Sequence, residues 1–350
     1  EPITIYDENG DNNYVLEFRD SSVSDGERGG TLNLKGNDAY GSTTSVISIA
    51  KGTSLNVRNL NVKCDYTAFF PYGDASAVNI YDCDVTANGA YCIGTNAGSE
   101  ENYGVEINLI NSNFTVDNTV DITDYGITGD DCAVMINVRG ALNIDKCNIT
   151  GNRQAVVVRA GTANISNSEI TVTGKYDGNN NYFSGTQWGS GNNLPAGALV
   201  AGNYQFDSSG NATAYFHNAD VKILNTKITS QGATDEFPAI YVDSNGEYSS
   251  KVDITGTNTN TVVTGTVTTG QYNAGHESSK TSDINIYAGK YLTKDGNPST
   301  ALNSSYIATG NKIDENGQVI IDEEYADVKI GDTGFETLKE AAGVAKDGDV

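Results

Sequence analysis

The sequence predicts an all-β chain wound as a right-handed parallel β-helix, a solenoid of about three strands per turn, with a short helical segment near its C-terminal end. Three observations carry that prediction. A short phrase recurs along the chain, the parity of its apolar residues switches in its middle, and a second apolar run closing on glycine lies between its copies.

The phrase runs apolar, often Asn, apolar, any residue, Asn or Asp, small, then apolar and Thr. It reads LNVRNLNV from Leu55, VNIYDCDVT from Val78, INLINSNFT from Ile107 and LNIDKCNIT from Leu142. It returns as ANISNSEIT from Ala163, VKILNTKIT from Val221, VDITGTNTN from Val252 and INIYAGKYL from Ile284. The copies begin 21 to 58 residues apart. A solenoid tolerates such spacing, because loops leave the coil without disturbing the stacked strands.

Within LNIDKCNIT, Leu142 and Ile144 share one strand face, while Cys147 and Ile149 share the face of opposite parity. Both pairs can face one core only if the chain bends near Asp145–Lys146. Sister copies hold Asn59, Asp82, Asn111, Asn167 and Asn225 at the position of Lys146. Asn and Asp are the non-glycine residues that best tolerate the left-handed conformation such a bend needs. The phrase is therefore two short strands meeting at a corner.

The second run appears as VISIAKG ending at Gly52, YCIGTNAG at Gly98, CAVMINVRG at Gly140, QAVVVRAG at Gly161 and PAIYVDSNG at Gly246. It supplies the third strand of each turn. Each strand must then pair with its equivalent in the next turn, in parallel and about 4.8 Å away, with the right-handed sense of parallel connections. An antiparallel β-sandwich could also be made from short strands and Gly/Asn turns. It does not account for one phrase recurring in one order.

The coil is expected over residues 1–310, with 311–350 a linker followed by a capping helix or the start of another module. Phe335, Leu338, Ala341, Ala342 and Ala345 share a helical face there. Such a helix could cap an exposed edge. A chain that begins at Glu1 and stops at Val350 is expected to be part of a longer one, and to be monomeric.

Net charge is −24. It argues against nucleic acid and against anionic membranes as partners. No apolar run of about 20 residues is present to span a membrane. The five cysteines read as small core residues. Cys83 and Cys147 share an inward column with Ser112, Ser168 and Thr226, about two turns or 9–10 Å apart, beyond disulfide reach.

The repeat lapses between Thr173 and Ala196. This stretch holds the one tryptophan, Trp188, with Tyr176, Tyr182 and Phe183. Aromatic side chains on Gly/Asn-rich loops stack on sugar rings or anchor a protein partner, and they can equally serve to cover the coil. A second excursion, residues 203–220, belongs to the next turn and could flank the same surface.

DVKIGDTGFETLKEAAGVAKDGDV, from Asp327, resembles the phrase that opens a β-helix module in adhesin-like surface proteins of gut bacteria. The LNIDKCNIT-type repeats resemble the pectate-lyase-like β-helices of that family. The resemblance implies a secreted, cell-surface location and a display or adhesion role more strongly than an activity.

Gly129–Asp130–Asp131–Cys132 is similar to one motif of polygalacturonase-type glycoside hydrolases, and Asn118–Thr119 begins another. Val120 stands where that motif needs Asp, and neither His217 nor His276 has glycine on both sides. If the chain is an enzyme, Asp121, Asp130 and Asp131 are the candidate acid and base groups. Arg159 would be the cationic base of a lyase, with Arg139 and Arg153 near it. The plainer reading of these arginines is solvated charge on an exposed sheet. Metal signatures are missing. Asp82 with Asp84, or Asp121 with Asp124, could hold Ca2+ only weakly. The expectation is thus a non-enzymatic module binding a glycan or a host or cell-surface protein, with a polysaccharide lyase or glycoside hydrolase as the alternative.

Overall fold

The computed structural model describes residues 3–5, 14–34, 45–88, 91–95, 104–116, 132–176, 181–182, 197–202, 205–206, 212–213, 217–232, 238–244, 248–270, 282–299, 302–324, 328–330, 333–335 and 338–346. Three sheets of nine strands each run the length of the coil, and every pairing between strands of these sheets is parallel. Each turn passes from the first sheet to the second and then to the third. The middle turn, for example, uses Cys132–Ile136, Gly140–Asp145 and Asn148–Gly151. The fold is a right-handed parallel β-helix.

The starting residues of the eight phrase copies form one column of the second sheet. Leu55, Val78, Ile107, Leu142, Ala163, Val221, Val252 and Ile284 are paired in succession, preceded by Leu16. In the third sheet Val62, Val85, Phe114, Ile149, Ile170, Ile228, Val263 and Tyr291 stack the same way. All sixteen of these side chains from Leu55 to Ile284 and from Val62 to Tyr291 are buried in one continuous core. Stacking is cumulative: each turn covers the apolar face of its neighbour, which no single turn could bury alone.

The corner is where the parity argument places it. Asn59, Asp82, Asn111, Lys146, Asn167 and Asn225 have φ of 58°, 55°, 48°, 55°, 51° and 48°. One left-handed residue per turn reverses the face, so the strands on either side both look inward. Just inside the bend, hydroxyls and thiols stitch adjacent turns. Ser112 Oγ accepts the Cys83 N–H at 3.0 Å and donates to the Ile110 carbonyl at 2.8 Å. Ser168 Oγ does the same for Cys147 N–H, at 3.0 Å, and the Ser166 carbonyl, at 2.6 Å. These bonds satisfy backbone groups that the turning chain removes from the strand ladders. Cys83 and Cys147 occupy the same column, their thiols lying 3.1 and 3.3 Å from the Tyr81 and Asp145 carbonyls.

Outside, asparagines form a ladder. Asn79 donates to Asn56, Asn108 to Asn79, Asn143 to Asn108 and Asn164 to Asn143, at 2.8–3.0 Å. A shorter ladder in the third sheet joins Asn148 to Asn113 at 2.8 Å and Asn113 to Asp84 at 2.6 Å. An amide both donates and accepts, so a column of them can satisfy itself rung after rung.

The two ends differ. At the C-terminal end Ile307 bridges in parallel to Ile286, while Gln318 and Pro298 bridge to Lys290 and Leu292. Tyr306 Oη takes the Thr269 N–H at 2.9 Å. Ile313 and Val319, from the hairpin Asn311–Ile313/Val319–Ile321, pack on the core. The last turn is therefore sealed by residues on both sides of position 310. The helix Leu338–Val344 lies against a separate hairpin, Val328–Ile330/Thr333–Phe335. At the other end Leu16 is 39% exposed, although its column is buried from Leu55 onward.

Candidate functional site

Turns differ in length mostly at two of their three connections. Second-sheet strands reach third-sheet strands through two residues in most turns, as in Lys146–Cys147 or Asn167–Ser168. Residues 20–30 and 256–261 lengthen this connection in two turns, and the other long insertions fall elsewhere. Residues 117–131 and 173–196 connect the third sheet to the first, whereas 94–104, 203–218 and 270–281 connect the first to the second. Both rows flank the first sheet. Two of the insertions adjoin the same strand, Gly197–Gly202, at its two ends. The earlier one carries the small hairpin Lys175–Tyr176/Asn181–Tyr182, and the later one carries Gln205–Phe206/Ala212–Thr213.

This places the aromatic candidates. Tyr176 pairs with Asn181 and Tyr182 with Lys175 through their backbones. Phe183 and Trp188 lie outside the described residues, as do Asp121, Asp124, Asp130, Asp131 and His276. Their convergence in one cleft, which an enzyme would need, is not among the geometry described.

The arginine expectation needs correction. Arg153 and Arg159 are not solvated surface charges: Arg159, 1% exposed, is the bulkiest of the fully buried side chains, and Arg153 is 2% exposed. The reason is a second apolar layer. Cys132, Met135, Val157 and Val200 form a buried cluster separate from the main core, with Tyr91 and Tyr241 against it. Met135, Val157, Val200 and Tyr241 are consecutive partners on the first sheet, and the residues beside them, Val134, Val156, Leu199 and Ile240, face the main core. The outer face of the first sheet is thus shut off from solvent through these turns. Alternation from Val157 puts Arg159 on that shut side. An open groove of the kind a polysaccharide enzyme uses is not available at Val157 and Val200.

Three of the described acidic groups have structural work. Asp243 accepts from Tyr241 Oη at 3.0 Å and from Ser244 N–H at 2.8 Å. Asp82 accepts from Asn111, and Asp84 from both Asn113 and Arg28. The pair considered for Ca2+ therefore serves the corner and the third-sheet ladder. Among the described residues no group of three or more His, Cys, Asp or Glu side chains is placed to hold a metal ion. The Asn-x-Thr spellings at Asn113 and Asn148 lie in ladder strands, their amide nitrogens donating to neighbouring turns.

All five cysteines are buried, and none is in a disulfide. Burial pushes the thiols of Cys64 and Cys147 up to about 12 and that of Cys83 up to about 11. They remain protonated thiols at neutral pH, without the thiolate a nucleophile or metal ligand requires.

Two features escape sequence reasoning. A cavity of about 250 Å³ lies between the last turn and its seal, lined by Thr266, Val267, Tyr291, Thr293, Lys294 and Leu302. On the connection row between the first and second sheets, Arg139 Nη2 lies 3.1 Å from His217 Nδ1, and the His217 ring meets Tyr248 edge-on with centroids 5.3 Å apart. No local signal joins residues so distant in sequence; only the stacking order of the turns brings them together.

In comparison with known proteins, no family model, no curated protein and no solved structure matches the chain. What the fold and site define is a class of architecture, the right-handed parallel β-helix. Among the described residues no helix is long and apolar enough to cross a membrane.

Proposed function

We propose that this chain is a non-enzymatic, adhesin-like display module of an extracellular bacterial surface protein. It binds a glycan, or a protein on a host or neighbouring cell, through the insertions that flank the first sheet. The observation that carries this reading is the uneven placement of variation. Two connections per turn absorb most of the insertions, including the longest, and the sheet between them is closed rather than grooved over its middle turns. Loops presented by a rigid scaffold are the usual seat of recognition. Tyr176, Tyr182, Phe183 and Trp188 sit in the longest insertion before strand Gly197–Gly202. A net charge of −24 keeps such rods apart from one another and from anionic membranes.

A glycan array probed with the purified chain tests the reading, with Trp188→Ala alongside. Selective binding by the parent and at least tenfold weaker binding by the variant is expected. Turnover of pectic or host polysaccharides would overturn it in favour of a lyase or hydrolase.

A further inference from the structure

In a solenoid each turn ordinarily touches only its nearest neighbours. The connection of residues 20–30, in the first turn, departs from that rule. It leaves strand Tyr14–Arg19 and returns at Thr31–Leu34. In between it reaches along the corners of the turns that follow. Its seat is the corner of the second turn. Asn59 Nδ2 donates to the Ser24 and Glu27 carbonyls at 2.9 and 3.0 Å, and the Asn59 carbonyl accepts the Gly29 N–H at 2.8 Å. Asn61 Nδ2 donates to the Gly29 carbonyl at 2.9 Å. Asp20 closes the base, accepting the Ser22 N–H at 2.8 Å and the Gly30 N–H at 2.5 Å. A Cβ at Gly29 would run into the Asp20 carboxylate, so the base closes this tightly only on glycine.

Arg28 carries the connection further. Its Nε donates to Asp84 Oδ1 at 3.2 Å in the third turn, and its Nη2 to the Asn111 carbonyl at 2.7 Å in the fourth. Its Nη1 donates back to the Gly26 carbonyl at 3.0 Å. The first and fourth turns are three strand separations, about 14 Å, apart. A planar guanidinium suits such a tie, because its rigid fork can hold several acceptors at once. Asn111 sits at a left-handed corner between two strands, so its carbonyl lies outside the ladders. The Arg28 side chain is 23% exposed and that of Asp84 is 42% exposed, so salt reaches the ionic part of the tie.

We propose that residues 20–30 form a salt-sensitive strap that holds the first turn shut to the level of the turns behind it. Strand pairing alone ties the first turn to the second, and a turn held by one neighbour opens as a local step. The strap adds contacts to the third and fourth turns, which the first turn must also break before it opens. The device matters in a rod of stacked parallel strands. A turn that opens alone bares the backbone edge of the next, and bare edges recruit other chains.

Native-state hydrogen exchange on the full chain tests this, read at Tyr14–Arg19, Thr53–Arg58 and Ala77–Tyr81, with Gly140–Asp145 as the internal reference that each variant is folded. In the parent the first three strands are expected to be protected alike. Arg28→Gln should speed exchange at Tyr14–Arg19 about tenfold or more, the loss of a charged hydrogen bond, and leave Gly140–Asp145 unchanged. Asp84→Asn keeps an acceptor for Asn113 and removes the charge, so it should give part of that effect in the parent and none on top of Arg28→Gln. Raising salt to about 1 M, where the Debye length falls to about 3 Å, should speed Tyr14–Arg19 in the parent and not in Arg28→Gln. Four results would each overturn the strap. One is a parent whose first turn already exchanges far ahead of the second. Another is an Arg28→Gln profile that matches the parent or rises equally in every turn. The others are Arg28 and Asp84 effects that add in full, and an equal salt response in parent and variant.

Discussion

The corner between the second and third sheets and the flanks of the first sheet belong to the same turns, yet they vary in opposite ways. At the corner, six turns place a left-handed residue at φ between 48° and 58°, each followed by a small or apolar inward side chain. At the flanks, connections range from the two residues 159–160 to the twenty-four residues 173–196. A two-residue corner that reverses strand parity leaves little freedom, and a slip of one residue would turn a whole strand inside out. A flank has no such constraint, because a loop need only leave and return to neighbouring strands. Stability should therefore be concentrated at the corner and the core columns, and recognition at the flanks.

Core substitutions should show the largest effect. Phe114→Ala is expected to cost about 3–5 kcal/mol in urea unfolding, whereas Ile110→Ala, on a partly exposed side chain of the neighbouring strand, should stay within about 0.5 kcal/mol. Similar losses at both sites would mean that the turns are not packed as described. Alkali should act through the buried thiols. Their folded-state values, about 11 to 12, exceed the ordinary 9.0. Their contribution is complete below pH 9 and is lost as pH rises towards 11–12, where the unfolded chain sheds protons that the folded chain retains. Native thiols should accordingly resist a thiol reagent at pH 8 and react after denaturation; rapid native labelling would contradict this.

The corner comes next. Asn167→Val forces a β-branched residue to φ near 51° and removes the Asn167–Asp145 bond, for an expected loss of about 1–3 kcal/mol. Lys146→Asn should run the other way and raise stability by up to about 1 kcal/mol. A thermal-melt series with no difference between the two would remove the corner from the account. In the ladder, Asn108→Ala breaks bonds to Asn79 and Asn143 at about 0.5–1.5 kcal/mol each. The smallest effect belongs to the flank: Arg139→Gln, at an exposed side chain, should change stability by less than about 0.5 kcal/mol.

That contrast also explains what could be read from the sequence. Lys146 was recognisable as a bend because its equivalents are Asn and Asp, and because apolar parity switches across it. Repetition made each copy a witness for the others. First-sheet strands were only partly visible: Val267–Thr269 shares the sheet and closes on Gly270, but one valine among threonines does not read as an apolar run. The burial of Arg153 and Arg159 could not be read, since a charged residue at either end of a strand has the same spelling whether the outer face is open or shut. His217 was visible as one of two histidines, but its partner lies 78 residues away. That distance is set by insertions that appear only once, so no sister copy exists to reveal it.

The seal over the last turn gives the rod a polarity. Pro298, Ile307 and Gln318 occupy the strand edges that a further turn would need, and proline has no N–H to offer along a ladder. Upstream of that point the turns share the same stacked core columns, so a turn could be duplicated or deleted with those columns kept. Length in this molecule is thus free to drift by whole turns, while its terminus is written once, in residues that resemble none of the repeats.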